Sequence, residues 1–128
     1  MSMLDLTTRA IVLDKEYVGE FNTRIFLYTE KLGSVVAYAT ATRKIVSKLA
    51  AHLEPLVVVD VRLLEKRNSS FQIVDALIIN DPSVIKLFPM RAFAIFKIAS
   101  MLRESSFRGS PDAEMWGLFF QMITSKEE

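Results

Sequence analysis

Residues 24–42, with the sequence RIFLYTEKLGSVVAYATAT, decide the fold of this chain. Arg24–Thr29 is predicted as a β-strand because β-branched and aromatic residues dominate it. Gly33 provides the freedom to adopt a positive φ, which a tight connection between strands needs. Ser34–Thr42 then has the composition of another strand. The stretch therefore predicts two consecutive strands joined by a tight turn.

Side chains alternate between the two faces of the first of these strands. Ile25 and Leu27 fall on one face, and Phe26 and Tyr28 fall on the other. Both faces are thus apolar, which leaves two interpretations of the aromatic pair open. Phe26 and Tyr28 either act as stacking platforms for nucleic-acid bases or cover the sheet where helices dock on it.

The flanking sequence supplies three more strands and a short helix. The strands are predicted over Thr8–Lys15, Leu56–Glu65 and Phe71–Ile79. Lys44–Leu53 interrupts the strand pattern, because its apolar residues recur every four positions, as they do on one side of a helix. Five strands with a helix between the third and the fourth is the order of an OB-fold barrel, although the pattern also permits another small barrel.

The last third of the sequence is helical. Asn80–Ser83 offers capping residues and an early proline. A helix is predicted over Met90–Glu104, where apolar residues leave little polar surface. A further helix is predicted to begin within Ser110–Glu114, with Ser110 as its cap and Pro111 in its first position.

We therefore expect an α+β chain in two parts, an OB-fold domain over residues 1–80 and a helical appendage over residues 81–128. The helices of the appendage are too apolar for solvated surface helices. They either pack on the barrel, pair with another copy of the chain, or belong to a bundle whose other members are missing. No linker rich in Gly, Pro or Ser separates the two parts, so we expect them to be packed together.

The composition excludes several classes of protein. The chain has 128 residues, 51% apolar and 24% charged, which is typical of a folded globular domain and not of a disordered one. It contains no cysteine, which excludes disulfides, zinc ribbons and cysteine nucleophiles, and His52 is its one histidine. No specific catalytic motif is present, so we expect no enzymatic activity, no metal and no cofactor. No secretory signal and no membrane-spanning run is present, so a cytoplasmic location without membrane contact is expected.

Positive charge is concentrated in one interval, although the formal net charge is only +1. No acidic residue occurs between Glu30 and Glu54, and this interval carries Arg43, Lys44 and Lys48, here called the cationic triplet. Cations without a nearby carboxylate can neutralise phosphates, so we predict that the triplet binds DNA. The alternative is an ordinary solvated face.

Other candidates follow from the face that OB-folds commonly use, which consists of the second and third strands and the flanking loops. Cations there contact phosphates, and aromatic rings stack on bases. The remaining predicted DNA-binding residues are Arg24 on the second strand, Lys66 and Arg67 at the tip of the last hairpin, and the aromatic residues Tyr28 and Tyr38. Tyr17 and Phe21 in the first loop are further stacking candidates, as is Phe26.

Several short motifs occur in an order that a known family shares. Arg24–Gly33 is an apolar strand that ends in an aromatic residue, threonine, polar residues and glycine. Thr40–Lys44 leads into Ser47–Leu49 and then into Leu53–Pro55. This order and spacing resembles the second strand, the turn and the basic segment of the RecO family of recombination mediators. The first strand with its loop, and the helix that follows Pro111, are also similar to that family.

The sequence also departs from the family pattern. Thr40 stands where RecO proteins often have lysine, and Ala41 stands where they have glycine, which makes this patch less basic. RecO proteins usually continue with more helices and often carry an inserted cysteine zinc-binding module, which is absent here. We therefore expect that this chain is a truncated or a naturally short relative.

The resemblance implies a function without catalysis. RecO proteins bind single- and double-stranded DNA and anneal complementary strands. They cooperate with RecR and with single-strand binding protein to load the RecA recombinase. The resemblance therefore implies that this chain acts in recombinational DNA repair with RecR-like and single-strand binding partners.

A protein-interaction module is the rival interpretation from a different class. In that case the barrel is a scaffold, and the apolar helices dock on a partner or on a second copy of the chain. An excess of large apolar side chains favours it, namely Phe93, Phe96, Trp116, Phe119 and Phe120. The two interpretations are compatible with each other.

Overall fold

The computed structural model describes residues 3–40, 53–68, 70–104 and 111–127. Five strands form a closed barrel in the order β1-β2-β3-β5-β4. The strands are β1 (Asp5–Val18), β2 (Asn22–Thr29), β3 (Gly33–Thr40), β4 (Val58–Glu65) and β5 (Phe71–Asn80). Neighbouring strands are antiparallel except β3 and β5, which run parallel. The predicted α+β class, with a five-stranded OB-fold barrel followed by helices, is confirmed.

Strand β1 is longer than the predicted Thr8–Lys15 because it pairs with two neighbours over different lengths. Residues 5–11 pair with β4, and residues 10–18 pair with β2. The register with β2 shifts between Val12 and Asp14, which marks a β-bulge. A bulge bends a strand and increases its twist, so one strand can serve both sides of the closed barrel.

The alternation in β2 separates two apolar cores. Ile25 and Leu27 face the inner core inside the barrel, and each is at most 1% exposed. Phe26 and Tyr28 face the outer core between the barrel and the helices. The outer core comprises Ile11, Leu13, Phe26, Tyr28, Leu56, Val58, Ile85, Ile95, Ala99, Trp116, Phe119 and Ile123. The two apolar faces of β2 are therefore buried in two different cores, one inside the barrel and one beneath the helices.

Three helical elements follow the barrel in the part of the chain that the structure describes. A 3₁₀ helix spans Pro82–Leu87, with Asp81 as its cap and proline at its start, as the capping signals predict. Helix α1 spans Pro89–Glu104, and helix α2 spans Ala113–Thr124. No helix among the described residues is long and apolar enough to cross a membrane.

The start of α2 differs from the sequence-based prediction. Asp112, and not Ser110, is its N-cap, and the Asp112 carboxylate accepts a hydrogen bond from the Met115 backbone N–H at 3.0 Å. The helix begins at Ala113, so Pro111 precedes the cap instead of occupying the first helical position. Ser and Asp are both good caps, and the sequence alone did not rank them.

Both helices pack on the barrel with one face only. In α1 the buried residues are Ile95 and Ala99, whereas Phe93 is 65% exposed and Met101 is 67% exposed. Helix α2 buries Trp116, Phe119 and Ile123. Of the three arrangements expected from the apolar sequence, packing on the barrel is thus observed, and one side of α1 stays exposed.

We predict that replacing Asp112 with alanine destabilises the fold by about 1 kcal/mol, because the first turn of α2 loses its side-chain acceptor. Urea denaturation followed by circular dichroism would measure the loss. An asparagine side chain keeps an acceptor oxygen, so the matched variant Asp112→Asn should retain most of the stability. Equal losses in both variants would show that the carboxylate charge, and not the cap, is the stabilising feature.

Candidate nucleic-acid interface

One row of polar side chains crosses the outer face of the barrel on four neighbouring strands. Glu16 of β1 is the register partner of Arg24 in β2, and Arg24 is the partner of Tyr38 in β3. Tyr38 is in turn the partner of Gln72 in β5. These four residues, here called the polar row, bring together two predicted DNA-binding residues, Arg24 and Tyr38.

Arg24 is fixed in place by both of its neighbours in the row. Its Nε donates to the Tyr38 hydroxyl oxygen at 3.3 Å, and its guanidinium lies 5.7 Å from the centre of the Tyr38 ring. Its Nη1 donates to Glu16 Oε1. The Tyr38 contact, followed by the Glu16 contact, raises the pKa of Arg24. The guanidinium is therefore a permanent, well-oriented positive charge on the surface.

Hydrogen bonds hold the end of β3 beside the row. Gln72 Nε2 donates to the Tyr38 carbonyl oxygen at 2.9 Å and lies 3.2 Å from Thr40 Oγ1. Thr40 Oγ1 donates to Asn22 Oδ1 at 2.9 Å. Side chains of β2 and β5 thus hold Thr40, the residue after which the chain continues towards the cationic triplet, by hydrogen bonds.

After the stretch of chain that carries the cationic triplet, the chain returns to the end of the barrel where Thr40 lies. Leu53 is buried in the inner core, and Glu54 forms an ion pair with Lys15 at 2.9 Å. Lys15 in turn lies 5.9 Å from the centre of the Tyr17 ring, close to the β1–β2 turn. Both described ends of the interval are therefore anchored near this turn.

The residues of the cationic triplet lie outside the described residues, as does the predicted helix Lys44–Leu53 apart from its last residue. The same holds for the last two residues predicted for the third strand. Their predicted roles stay predictions. In the sequence, Arg43 follows Thr40, the last described residue of β3, by three positions.

The β1–β2 turn presents two aromatic side chains to solvent. Tyr17 is 75% exposed and Phe21 is 60% exposed. Gly19 lies in this turn with a φ of 69°, a conformation that glycine adopts without strain. Exposed rings at the rim of a polar row have the accessibility that base stacking requires.

Tyr28 does not have that accessibility, and its burial favours the alternative interpretation, in which it covers the sheet where the helices dock. Its exposure is 4%, and its ring lies 5.7 Å from that of Trp116 and 6.1 Å from that of Phe119. Burial raises the pKa of Tyr28. Phe26 is 8% exposed and lies under the guanidinium of Arg103. The helices therefore cover one half of the β2–β3 face and leave the half with Arg24 and Tyr38 open.

The predicted pair Lys66 and Arg67 is exposed in the β4–β5 hairpin. That hairpin precedes β5, whose first residue Phe71 is the register partner of Ala37 in β3. The pair therefore borders the row on the side of β5, as flanking cations of the face would.

One further cation, which was not among the predicted site residues, lies beside the row. Arg103 of α1 donates from its Nε to Asp14 Oδ2 at 2.6 Å, and its Nη2 lies 3.6 Å from Glu16 Oε2. Arg103 and Asp14 are 89 positions apart, so no local pattern reports their contact.

A comparison with protein families shows to which family this chain is related. Residues 1–81 match the family model described as Recombination protein O N terminal. The chain belongs to the RecO family. Its role is therefore in recombinational DNA repair, as the resemblance implied. No curated protein matches this RecO chain.

Proposed function

We propose that this RecO barrel binds DNA through the open half of its β2–β3 face. The observation that carries the proposal is the placement of Arg24 and Tyr38 in the uncovered half, where the chain leaves Thr40 for the cationic triplet. Arginine and lysine neutralise phosphates and release counterions, and the aromatic rings at the β1–β2 turn supply stacking surfaces. Catalytic residues are not needed for such a function.

The same arrangement supports the binding of single strands and duplexes, and it supports the annealing of complementary strands. Repulsion between two phosphate backbones opposes the pairing of strands. Arginine and lysine side chains that contact the phosphates reduce this repulsion. Tyr17 and Phe21 contact the flat face of a base, which leaves the base-pairing edge available to a complementary strand. RecR-like and single-strand binding partners, recombinase loading and a cytoplasmic location belong to this proposal through the family relationship.

Salt-dependent binding of a labelled single-stranded oligonucleotide tests the proposal. If about four cations contact phosphates, affinity should fall about 50-fold between about 50 and about 200 mM salt, as measured by fluorescence anisotropy. The duplex of the same sequence should bind with a steeper salt dependence. An oligomer with an uncharged backbone is the matched control and should bind weakly at both salt concentrations. Absence of binding at low salt would refute the proposal.

A second candidate function is self-association through α1. One side of this helix exposes Met90 (86%), Phe93 (65%), Phe96 (56%) and Met101 (67%), which is more apolar surface than a solvated helix usually presents. Light scattering tests this second candidate, because a monomer at high concentration argues against an obligate interface between copies.

A further inference from the structure

Two arginines from distant parts of the chain converge on one carboxylate beside the polar row. Glu16 Oε1 accepts from Arg24 in the barrel, and Glu16 Oε2 faces Arg103 in α1 at 3.6 Å. Asp14 completes the group, because its Oδ2 accepts from Arg103 Nε at 2.6 Å. Glu16 therefore links the candidate phosphate contact of the barrel to a cation of the helical appendage.

Each arginine is also held by an aromatic ring. The guanidinium of Arg24 lies 5.7 Å from the ring centre of Tyr38, and that of Arg103 lies 4.3 Å from the ring centre of Phe26. Stacking on an aromatic face orients a guanidinium. Both cations should therefore keep their positions when the carboxylate between them is exchanged for another anion.

The carboxylates are accessible enough to be exchanged. The exposed fraction is 38% for the Glu16 side chain, 35% for Arg24 and 37% for Arg103. Ion pairs with this exposure contribute little to stability, because water and salt screen them. A phosphate offers a guanidinium the same pair of oxygen acceptors that a carboxylate does. A phosphodiester can thus replace Glu16 without a change in the geometry of the arginines.

We propose that Glu16 is an internal competitor for nucleic-acid phosphate, and that Arg103 contacts phosphate together with Arg24 when the backbone displaces this carboxylate. The inference rests on the proposed function and adds a residue of the appendage to the site. In the unliganded protein, the negative charges of Asp14 and Glu16 neutralise the positive charges of the two arginines. A ligand must supply phosphates to both arginines to compensate for the lost ion pairs, which favours a continuous strand over an isolated phosphate.

The substitution Glu16→Gln tests the competition. Two unit charges about 4 Å apart in water interact with an energy equivalent to about a fivefold change in affinity, so the variant should bind single-stranded DNA about fivefold tighter at low salt. Glu20→Gln is the matched control, because it removes the same charge from an exposed position in the adjacent β1–β2 turn. The control should change affinity much less than Glu16→Gln does.

Arg103→Gln tests the contribution of the appendage. Introduced into the Glu16→Gln variant, it should abolish part of the gain and make the salt dependence shallower by about 0.7 in log–log slope. Asp14→Asn gives a second variant, which should raise affinity through Arg103 alone.

The possible outcomes separate this inference from the proposed function. If the wild-type protein binds DNA but Glu16→Gln and Glu20→Gln behave alike, the internal competition is wrong and the proposed function stands. A lower melting temperature of Glu16→Gln with unchanged affinity would likewise overturn it, because the carboxylate would then only attach α1 to the barrel. If neither the wild-type protein nor Glu16→Gln binds DNA at low salt, both proposals fail.

Discussion

Replacing Phe119 with alanine is expected to destabilise the protein by about 3–5 kcal/mol, as for other large aromatic residues removed from a core. Phe119 is 0% exposed and lies in the outer core, with its ring 6.1 Å from that of Tyr28. The variant loses the transfer free energy of the ring and leaves a cavity that the rigid barrel cannot fill by collapse. Because domains are stable by only about 5–15 kcal/mol, urea denaturation should show a large shift of the midpoint.

Phe93→Ala is the matched control for this prediction. Phe93 lies on α1 and is 65% exposed, so its removal should change stability by no more than about 0.5 kcal/mol. Equal losses in the two variants would contradict the distinction between the covered and the exposed faces of the helices. A second, separate unfolding transition in the Phe119 variant would show that the helices unfold independently of the barrel.

The strand pattern of this chain was predictable because it is local. Alternation in β2 assigns Ile25 and Leu27 to one face and Phe26 and Tyr28 to the other, and the structure confirms both assignments. The ends of β1 were not predictable, because the lengths of its pairings depend on β2 and β4. The N-cap of α2 was placed two residues too early, since Ser110 and Asp112 offer similar capping chemistry.

The candidate site was predictable only in part. Arg24 and Tyr38 were identified from the face that an OB-fold commonly uses, and register pairing brings them together. Alternation shows that Tyr28 is on the outer face, but not that Trp116 covers it. The contacts of Glu16 with Arg103 depend on how α1 docks, which is a property of the tertiary structure and has no signature in a sequence window.

The triple variant Arg43→Ala, Lys44→Ala, Lys48→Ala should have the largest effect on DNA binding. Each lost contact with a single-stranded backbone removes the release of about 0.7 counterion, so the log–log salt slope should become shallower by about 2. The affinity at about 50 mM salt should then fall on the order of 100-fold. Thr40 and Glu54, described residues on either side of this stretch of chain, are both held by polar contacts near the β1–β2 turn. Fluorescence anisotropy over a salt series measures both quantities.

A second triple variant separates local contacts from net charge. Lys86, Lys97 and Lys126 are exposed on the helical appendage, and their replacement with alanine removes the same total charge. A general electrostatic attraction would weaken similarly in both triple variants, because long-range fields depend on the summed charge. If the cationic triplet contacts phosphates at the open half of the face, the first triple variant should lose far more affinity and salt dependence than the second. Equal losses would indicate a general electrostatic attraction without phosphate contacts at this face, and self-association through the exposed side of α1 would then become the stronger candidate function.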